Sequence, residues 1–222
     1  IPAGVTIHSA VFALASARAG ALAAKYLVER RGWRGKIIKN VSTSRMINRL
    51  GERYGLEVIE TPVGFNHIAD WMLRDDVLVG GEESGGMSFK GHIPEGDGVL
   101  MGLLILEMVA AAQVPLEELV ADLLAEAGPS HYARLDLRLS HPVVKSRMVE
   151  RLLQEAPPAI GGAAVRGIES IDGVKYILDD DSWLLIRPSG TEPVLRVYAE
   201  AREPAMVEFL LAHGRQVAET KG

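Results

Sequence analysis

One segment near the end of the chain combines the residue types that bind anions. It reads Arg187-Pro188-Ser189-Gly190-Thr191-Glu192-Pro193 and follows an apolar run. Arg187 offers a planar fork of donors that matches phosphate oxygens. Ser189 and Thr191 carry hydroxyl donors, and Gly190 lets the backbone approach an anion closely. Because Pro and Ser-Gly also form turns, a plain hairpin turn is the alternative interpretation.

A second segment combines glycines with acidic and hydroxyl side chains. It reads Gly80-Gly81-Glu82-Glu83-Ser84-Gly85-Gly86 and follows a short apolar run. Glycines allow the backbone close to a small polar ligand. A carboxylate such as that of Glu82 accepts hydrogen bonds from neighbouring hydroxyl groups, each worth about 1.5–3 kcal/mol. A flexible surface loop is the alternative interpretation.

Acidic and histidine side chains in and after this segment raise a metal site as a third interpretation. The candidate ligands are Glu82, Glu83, His92, Glu95 and Asp97. Their spacing matches none of the strong metal-binding motifs, so we predict no metal site in this chain. Asp179-Asp180-Asp181 is acidic enough to bind a metal, but its place between two predicted strands favours a hairpin turn.

The composition is that of an ordinary globular protein. Of the 222 residues, 48% are apolar and 24% charged, and the net charge is −5. There is no dense basic tract, so we expect no nucleic-acid partner. There is no cysteine, so disulfides and thiolate metal sites are excluded and a cytoplasmic location is expected. The apolar segment 99–112 is shorter than the roughly 20 residues of a membrane span and predicts a buried helix and no membrane partner.

Hydrophobic patterns predict a first domain over residues 1–129. Helix 10–31 is followed by strand 36–41, by a helix that Ser42 or Thr43 caps and Gly55 ends, and by strand 56–60. A strand over 77–79, the buried helix over 99–113 and a further helix over 115–128 complete it. Strand-helix-strand units at this spacing predict a mainly parallel sheet in an α/β/α sandwich.

The sequence Gly128-Pro129-Ser130 predicts a domain boundary, because the pattern changes after it. Leu135, Leu137 and Leu139 alternate with polar residues, as in a half-buried strand. The second domain, residues 130–222, is predicted to be a smaller α+β domain with a mainly antiparallel sheet and the order β-α-β-β-β-α. Asp172-Gly173 is a strong hairpin-turn signal within it.

The two polar segments together resemble loops of the α-D-phosphohexomutase superfamily, the phosphoglucomutases and phosphomannomutases. Residues 81–86 look like the sugar-binding loop of that family's third domain, and residues 187–193 look like the phosphate-binding loop of its fourth domain. Residues 41–45, 61–65 and 91–95 are also similar. The resemblance covers nearly the whole chain in the family's order, and it identifies the chain as the C-terminal half of such a protein.

The resemblance implies an isomerase that moves phosphate between the 1- and 6-positions of a hexose. The full enzyme would use a phosphoserine in its first domain, a Mg²⁺ loop in its second and hexose 1,6-bisphosphate as intermediate. Glu82 and Ser84 would hold two sugar hydroxyls of the phosphorylated hexose. The phosphate that is not transferred would be held by Arg187, Ser189, Gly190 and Thr191. The Glu-Glu-Ser version of the sugar loop favours glucose phosphates, with mannose phosphates as the alternative.

Two departures from the family pattern limit what this chain can do. It contains no Ala-Ser-His-Asn-Pro-like run and no Asp-Gly-Asp-X-Asp loop; Ser140-His141-Pro142 is a faint look-alike that we interpret as a helix start. We therefore expect the nucleophile and the Mg²⁺ ligands in missing N-terminal domains, and no activity from this chain alone. Asn66 stands where relatives often carry Lys, which leaves the acid or base open, with His67, His92 and Lys39 as candidates.

Two other functions stay open at this stage. The first is a stand-alone, non-catalytic module that binds phosphorylated sugars. The second is a metal-dependent hydrolase that uses the acidic loop around Glu82.

Overall fold

The computed structural model describes residues 7–139, 144–190 and 192–221, and the chain separates into two compact units, Ile1–Pro129 and Ser130–Gly222. The helices of the first unit are α1 (Ile7–Glu29), α2 (Met46–Tyr54), α3 (Phe65–Arg74), α4 (Gly98–Ala112) and α5 (Leu116–Ala127). Its strands are β1 (Lys36–Asn40), β2 (Val58–Thr61), β3 (Val77–Gly81) and β4 (Met87–Phe89).

The strands of the first unit form one sheet in the order β2-β1-β3-β4. Strand β1 is parallel to β2 and to β3, and the short β4 is antiparallel to β3. Ile37 packs in the cluster with α1, α2, α4 and α5, whereas its neighbour Ile38 packs with Ile68 of α3 on the other face. Because both faces are covered, β1 and β3 are buried along most of their length. The predicted α/β fold with a mainly parallel sheet is confirmed.

Two elements of the first unit, α3 and β4, were not predicted. Helix α3 was not predicted although its apolar residues have helical spacing: Phe65, Ile68, Trp71 and Met72 recur at intervals of three and four and pack in one cluster. The region predicted as a glycine-rich loop is a β-hairpin, in which β3 extends to Gly81 and β4 returns from Met87. Gly80 is required there, because a Cβ at that position would lie 2.4 Å from Ile68 Cγ2.

The start of α2 also differs from the prediction. The helix begins at Met46, and the hydroxyl that accepts from the Met46 backbone N–H, at 3.0 Å, belongs to Ser44. Ser42 and Thr43, the predicted caps, donate instead to side chains, including Asn40 Oδ1 at 3.1 and 2.6 Å. The predicted end is confirmed, since Gly55 closes α2 in the left-handed conformation.

Helix α4, predicted as a buried helix, is buried on one side only. Val99, Leu103 and Leu106 are 76%, 60% and 66% exposed. Its sequence is apolar almost throughout and gives no polar stripe that would mark an outer face. Among the described helices none is by itself long and apolar enough to cross a membrane; α4 and α5 reach that composition only as a pair, with an 89° bend between them.

The second unit is a six-stranded antiparallel sheet with two helices. Its elements are β5 (His131–Arg138), α6 (Lys145–Gln154), β6 (Ala159–Ile160), β7 (Ala163–Glu169), β8 (Val174–Leu178), β9 (Trp183–Pro188), β10 (Val194–Ala201) and α7 (Pro204–Lys221). The strand order is β5-β10-β9-β8-β7-β6. Side chains of α6 and α7 such as Leu152 and Leu210 pack with Val174 and Val197 in one core.

The predicted antiparallel α+β class of this unit is confirmed, but its order has more strands than β-α-β-β-β-α. Five strands follow α6, where the predicted order has three, although four strand-like runs, near 165–169, 174–178, 183–186 and 194–201, are apparent in the sequence. One of the five strands, β6, has only two residues and lies in the Pro- and Gly-rich stretch 157–162. The four others, β7 to β10, lie at the four strand-like runs, so β6 is the strand that the sequence pattern did not predict.

Candidate functional site

The first candidate site is the acidic turn, residues 82–86, which connects β3 to β4. Strands β1 and β3 are parallel and adjacent, so their carboxyl ends bring Asn40 next to this turn. Asn40 Nδ2 donates to Glu82 Oε1 at 3.2 Å and to Glu83 Oε2 at 2.8 Å. The backbone N–H of Gly64 also donates to Glu82 Oε1, at 2.8 Å. The turn is therefore fixed by an amide at the end of β1 and by the start of α3.

The two glutamates of the turn have different surroundings. Glu83 is 9% exposed, and its Oε2 also lies 2.8 Å from Ser42 Oγ. Glu82 is half-buried and uses Oε1 for both of its hydrogen bonds, while Oε2 has no hydrogen-bond partner within the described residues. Ser84, at the tip of the turn, is exposed. Glu82 and Ser84 thus present an acceptor and a hydroxyl outward, whereas Glu83 anchors the turn.

The acid-base candidates lie in three different settings. Lys39 is fully buried, and its Nζ contacts Thr43 O at 3.0 Å, Ser44 O at 3.3 Å and Glu60 Oε1 at 2.9 Å. Those contacts engage all three ammonium donors and favour a structural role. His92 Nε2 lies 3.1 Å from Asp97 Oδ2.

His67 and Asn66 lie in the first turn of α3, next to Gly64, where His67 is half-buried and Asn66 exposed. The backbone N–H of His67 donates to Gly64 O at 3.1 Å, and Gly64 in turn contacts Glu82, whereas Lys39 is the strand partner of Gly81. None of these placements assigns a proton transfer.

The candidate metal ligands do not converge. Asp97 caps α4 by accepting from the N–H groups of Val99 and Leu100, and these bonds lower the pKa of its carboxyl. Within residues 7–139, 144–190 and 192–221 no three His, Asp or Glu side chains form a group that could hold a metal ion. Asp180 and Asp181 form the β8–β9 turn, where Asp180 Oδ1 accepts from Ser182 N at 2.9 Å.

The second candidate site is the anion loop, residues 187–193, which connects β9 to β10. Ser189 N–H donates to Val194 O at 2.8 Å, and Ser189 Oγ accepts from Glu192 N–H at 3.3 Å, so the loop is a closed turn. Gly190 is exposed, and a Cβ there would meet no described atom within 4 Å. Thr191 and the look-alike at 140–142 lie outside the described residues.

Two arginines lie side by side at the base of this loop. Arg187 and Arg196 are direct cross-strand partners of β9 and β10 and so share a face of the sheet. Arg187 Nε donates to Asp172 Oδ2 at 2.7 Å, and its side chain is only 11% exposed. Arg196 Nη2 donates to Glu192 Oε2 at 3.3 Å.

Each of these arginines has a buried nitrogen without a hydrogen-bond partner among the described residues, Nη1 of Arg187 and Nε of Arg196, although Asp136 Oδ2 lies 3.9 Å from the latter. Leaving a buried donor unsatisfied costs about 1–3 kcal/mol. The base of the anion loop therefore has donor capacity that an external acceptor, such as a phosphate oxygen, would satisfy.

Sequence reasoning missed Asn40 and the role of Asp172. For Arg196 the sequence leaves two interpretations open: it adds positive charge to the anion loop, or it faces solvent. Asn40 reads simply as the end of a strand, and its partners are 42 and 43 positions away. The pairing of Arg196 with Arg187 could have been found from the sequence. The two arginines are nine residues apart on the two strands of a hairpin, and this spacing places them opposite each other.

Comparison with protein families identifies both units. Residues 16–127 match the family model described as phosphoglucomutase/phosphomannomutase, alpha/beta/alpha domain III. Residues 144–212 match the model described as phosphoglucomutase/phosphomannomutase, C-terminal domain. The matches occur in the order of the resemblance noted from the sequence.

Individual relatives extend beyond this chain. The chain is 32% identical, over 84% of its length, to a phosphoglucosamine/phosphogalactosamine mutase of Sulfurisphaera tokodaii, and 35% identical, over 87%, to a phosphoglucosamine mutase of Methanococcus aeolicus. It spans only 39% and 41% of those proteins. A crystal structure of a protein assigned as a phosphomannomutase from Thermus thermophilus superposes with a TM-score of 0.75 at 35% identity, over 91% of this chain and 40% of that one.

Proposed function

Since the chain belongs to the phosphoglucomutase/phosphomannomutase family, we propose that it supplies the substrate-binding C-terminal half of a phosphohexomutase. The whole enzyme would interconvert hexose 1-phosphate and hexose 6-phosphate. In this proposal the anion loop holds the phosphate that is not transferred, and the acidic turn holds hydroxyls of the sugar.

The paired arginines below the anion loop carry the proposal. Two like charges on directly opposite strand positions destabilise a sheet. Here Asp172 bonds Arg187 and Glu192 bonds Arg196. Asp136 Oδ2 also lies 3.9 Å from Arg196 Nε, yet one buried N–H of each arginine has no hydrogen-bond partner among the described residues. A phosphate would supply oxygen acceptors for these donors. By the family resemblance, Ser189 and Thr191 would add hydroxyl contacts.

The acidic turn supports binding of the sugar ring. Glu82 Oε1 is fixed by Asn40 and Gly64, which orients the carboxylate without using Oε2. A fixed carboxylate that accepts from two neighbouring hydroxyls has a low ordering cost on binding. Ser84 lies two residues further, on the exposed tip of the turn.

The proposed contribution to catalysis is positioning. Phosphoryl transfer depends mainly on alignment of the reacting groups and on stabilisation of charge. Mg²⁺, when bound in the whole enzyme, would stabilise charge on the transferring phosphate. We expect its ligands and the phosphoserine in domains that precede this chain, and we assign no chemical step to the residues described here. A cytoplasmic location stays a prediction from composition.

The sugar is proposed as a class, the hexose and hexosamine phosphates. The sequence-based expectation was glucose, with mannose as the alternative. The relatives reported above are named for glucosamine, galactosamine and mannose phosphates. By family resemblance the acidic turn contacts the 3- and 4-hydroxyls, which glucose, mannose and glucosamine have in common. We therefore expect other parts of the whole enzyme to distinguish substituents at carbon 2.

Replacement of Arg187 tests the phosphate assignment. In a titration of the chain with glucose 1-phosphate and glucosamine 1-phosphate, Arg187→Ala is expected to lose about 1.5–3 kcal/mol of binding, or about 10- to 150-fold in Kd. Calorimetry or amide chemical shifts would measure it. Arg166→Ala is the matched control, since Arg166 lies in the same unit and pairs with Asp181 at 2.8 Å. Equal affinities of wild type and Arg187→Ala would contradict the proposal.

A further inference from the structure

The dipeptide Asp172-Gly173, which the sequence marks only as a turn, contacts Arg187 from two sides. The carboxylate of Asp172 is 5% exposed and accepts from Arg187 Nε at 2.7 Å. Gly173 has a φ of 92°, and a Cβ there would lie 2.9 Å from Arg187 Cα and 2.5 Å from Ile186 O. No other residue fits this position without moving the backbone of β9 at Arg187.

The second oxygen of Asp172 is also engaged. Oδ1 accepts from Nζ of Lys145, the first residue of α6. Burial alone would raise the pKa of the Asp172 carboxyl, but the hydrogen bonds from Lys145 and Arg187 outweigh it, and the pKa is lowered. A carboxylate held at both oxygens by groups from α6 and β9 has one orientation, and it can impose that orientation on its partners.

Asp172 contacts the Arg187 guanidinium at Nε and not at its two Nη nitrogens. The fork has donors on Nε, Nη1 and Nη2. Asp172 occupies Nε, and Nη1 is buried with no hydrogen-bond partner in the part of the chain that the structure describes. An acceptor on Nε also restricts rotation of the guanidinium plane.

Resting on the phosphate-binding role proposed above, we propose that Asp172 is a positioning residue of the anion loop. It holds the Arg187 guanidinium by Nε so that the Nη nitrogens face the phosphate of the sugar. Lys145 holds the other oxygen of Asp172, and Gly173 allows the close approach. Asp172 does not itself contact the ligand.

Charge alone predicts the opposite effect of removing this carboxylate. A negative group beside an anion site weakens anion binding, so its neutralisation would strengthen phosphate binding. If Asp172 orients Arg187, its neutralisation weakens phosphate binding instead. Asp172→Asn, which keeps the shape of the side chain, therefore separates the two roles by the sign of the change.

The test is a titration of the full 222-residue chain with inorganic phosphate, followed by amide chemical shifts. Asp172→Asn is expected to raise the Kd about tenfold. Asp181→Asn is the control, because it removes the carboxylate of another Asp–Arg pair in the same unit, that of Asp181 with Arg166. Asparagine tolerates the positive φ of 72° at position 181. The Kd of Asp181→Asn is expected to stay at the wild-type value. An unchanged or lower Kd for Asp172→Asn would overturn the proposal.

A second measurement needs no variant at Asp172. The side-chain Nε–H resonance of Arg187 is assigned by its loss in Arg187→Lys. In the wild type this Nε–H proton should exchange slowly with solvent, whereas that of Arg74, which is 76% exposed, should exchange fast. Fast exchange at Arg187 would overturn the inference even if Asp172→Asn did not fold. If phosphate causes no chemical-shift change in the wild type, both the proposed function and this inference are rejected. If phosphate binds the wild type and Asp172→Asn equally well, this inference alone is rejected.

Discussion

At the scale of single residues, the acidic turn separates two side chains of the same type. Glu82 keeps one carboxylate oxygen without a partner among the described residues, whereas Glu83 is buried against Asn40 and Ser42. The backbone determines this difference, because consecutive residues of a turn point in different directions. Binding and anchoring are therefore expected to be divided between the two glutamates.

The paired variants Glu82→Gln and Glu83→Gln test that division. Glu82→Gln should weaken hexose-phosphate binding, since a carboxylate is the stronger acceptor for hydroxyls, and should leave stability within about 0.5 kcal/mol of wild type. Glu83→Gln should lower the free energy of unfolding by on the order of 1 kcal/mol, because two buried charge-assisted hydrogen bonds are weakened. Urea unfolding and ligand titration of both variants measure the two effects. The same loss of affinity without loss of stability in Glu83→Gln would contradict the assignment.

Sequence could identify the residue types of both candidate sites but not their orientation. Arg187 and Ser189 followed from the chemistry of their segment. The distinction between Glu82 and Glu83 did not, because it depends on Asn40, which is distant in sequence and approaches through strand pairing. Asp172 was assigned to a turn correctly, yet its ion pair with Arg187 depends on the register of β8 against β9.

At the scale of elements, α6 is tied to the sheet of the second unit through a buried tyrosine. Tyr176 of β8 is 3% exposed, and its hydroxyl donates to Leu152 O of α6 at 2.9 Å. Burial, with a smaller contribution from the charge of Glu155, raises the pKa of Tyr176 to about 12. The phenol must therefore stay neutral for α6 to keep this contact.

This contact predicts a loss of stability in alkali. A folded-state pKa above the ordinary value of about 10 contributes stability that is complete below pH 10 and declines as pH rises from there through 12. Tyr176→Phe should cost about 1 kcal/mol at neutral pH through the lost hydrogen bond, and should show a shallower decline above pH 10. Urea unfolding between pH 7 and 12 measures both proteins. Parallel declines would show that Tyr176 is not the titrating group.

Elements with strong periodicity were predictable, and the others were not. Strands β8, β9 and β10 and helix α5 followed from apolar runs and from Gly and Pro signals. Helix α3 was predictable, because Phe65, Ile68, Trp71 and Met72 recur at helical spacing, but it was not predicted. Strand β4 was not predictable, because its three residues carry no pattern of their own. It forms because β3 offers it a partner, which is tertiary information.

At the scale of the whole molecule, the chain has two units, each with its own core and one candidate site. The acidic turn belongs to the first unit and the anion loop to the second. Neither site, among the described residues, contains a metal-ligand group. The chain also spans about two-fifths of the curated relatives it matches. Under the proposed function, binding and chemistry would lie in different parts of the whole protein.

That division predicts that this chain is inactive alone and that the complete reading frame is active. The 222-residue chain and the complete protein should be assayed for conversion of hexose 1-phosphates to 6-phosphates, with Mg²⁺ and a trace of hexose 1,6-bisphosphate. We expect turnover only from the complete protein, because positioning groups alone supply neither the phosphoryl donor nor the charge stabilisation that the reaction needs. Arg187→Ala in both forms controls for contaminating enzyme, whose activity it would not change. The prediction would be contradicted if the 222-residue chain shows turnover and Arg187→Ala abolishes it. If the complete protein shows no turnover with any hexose phosphate tested, a non-catalytic sugar-phosphate module would be favoured instead.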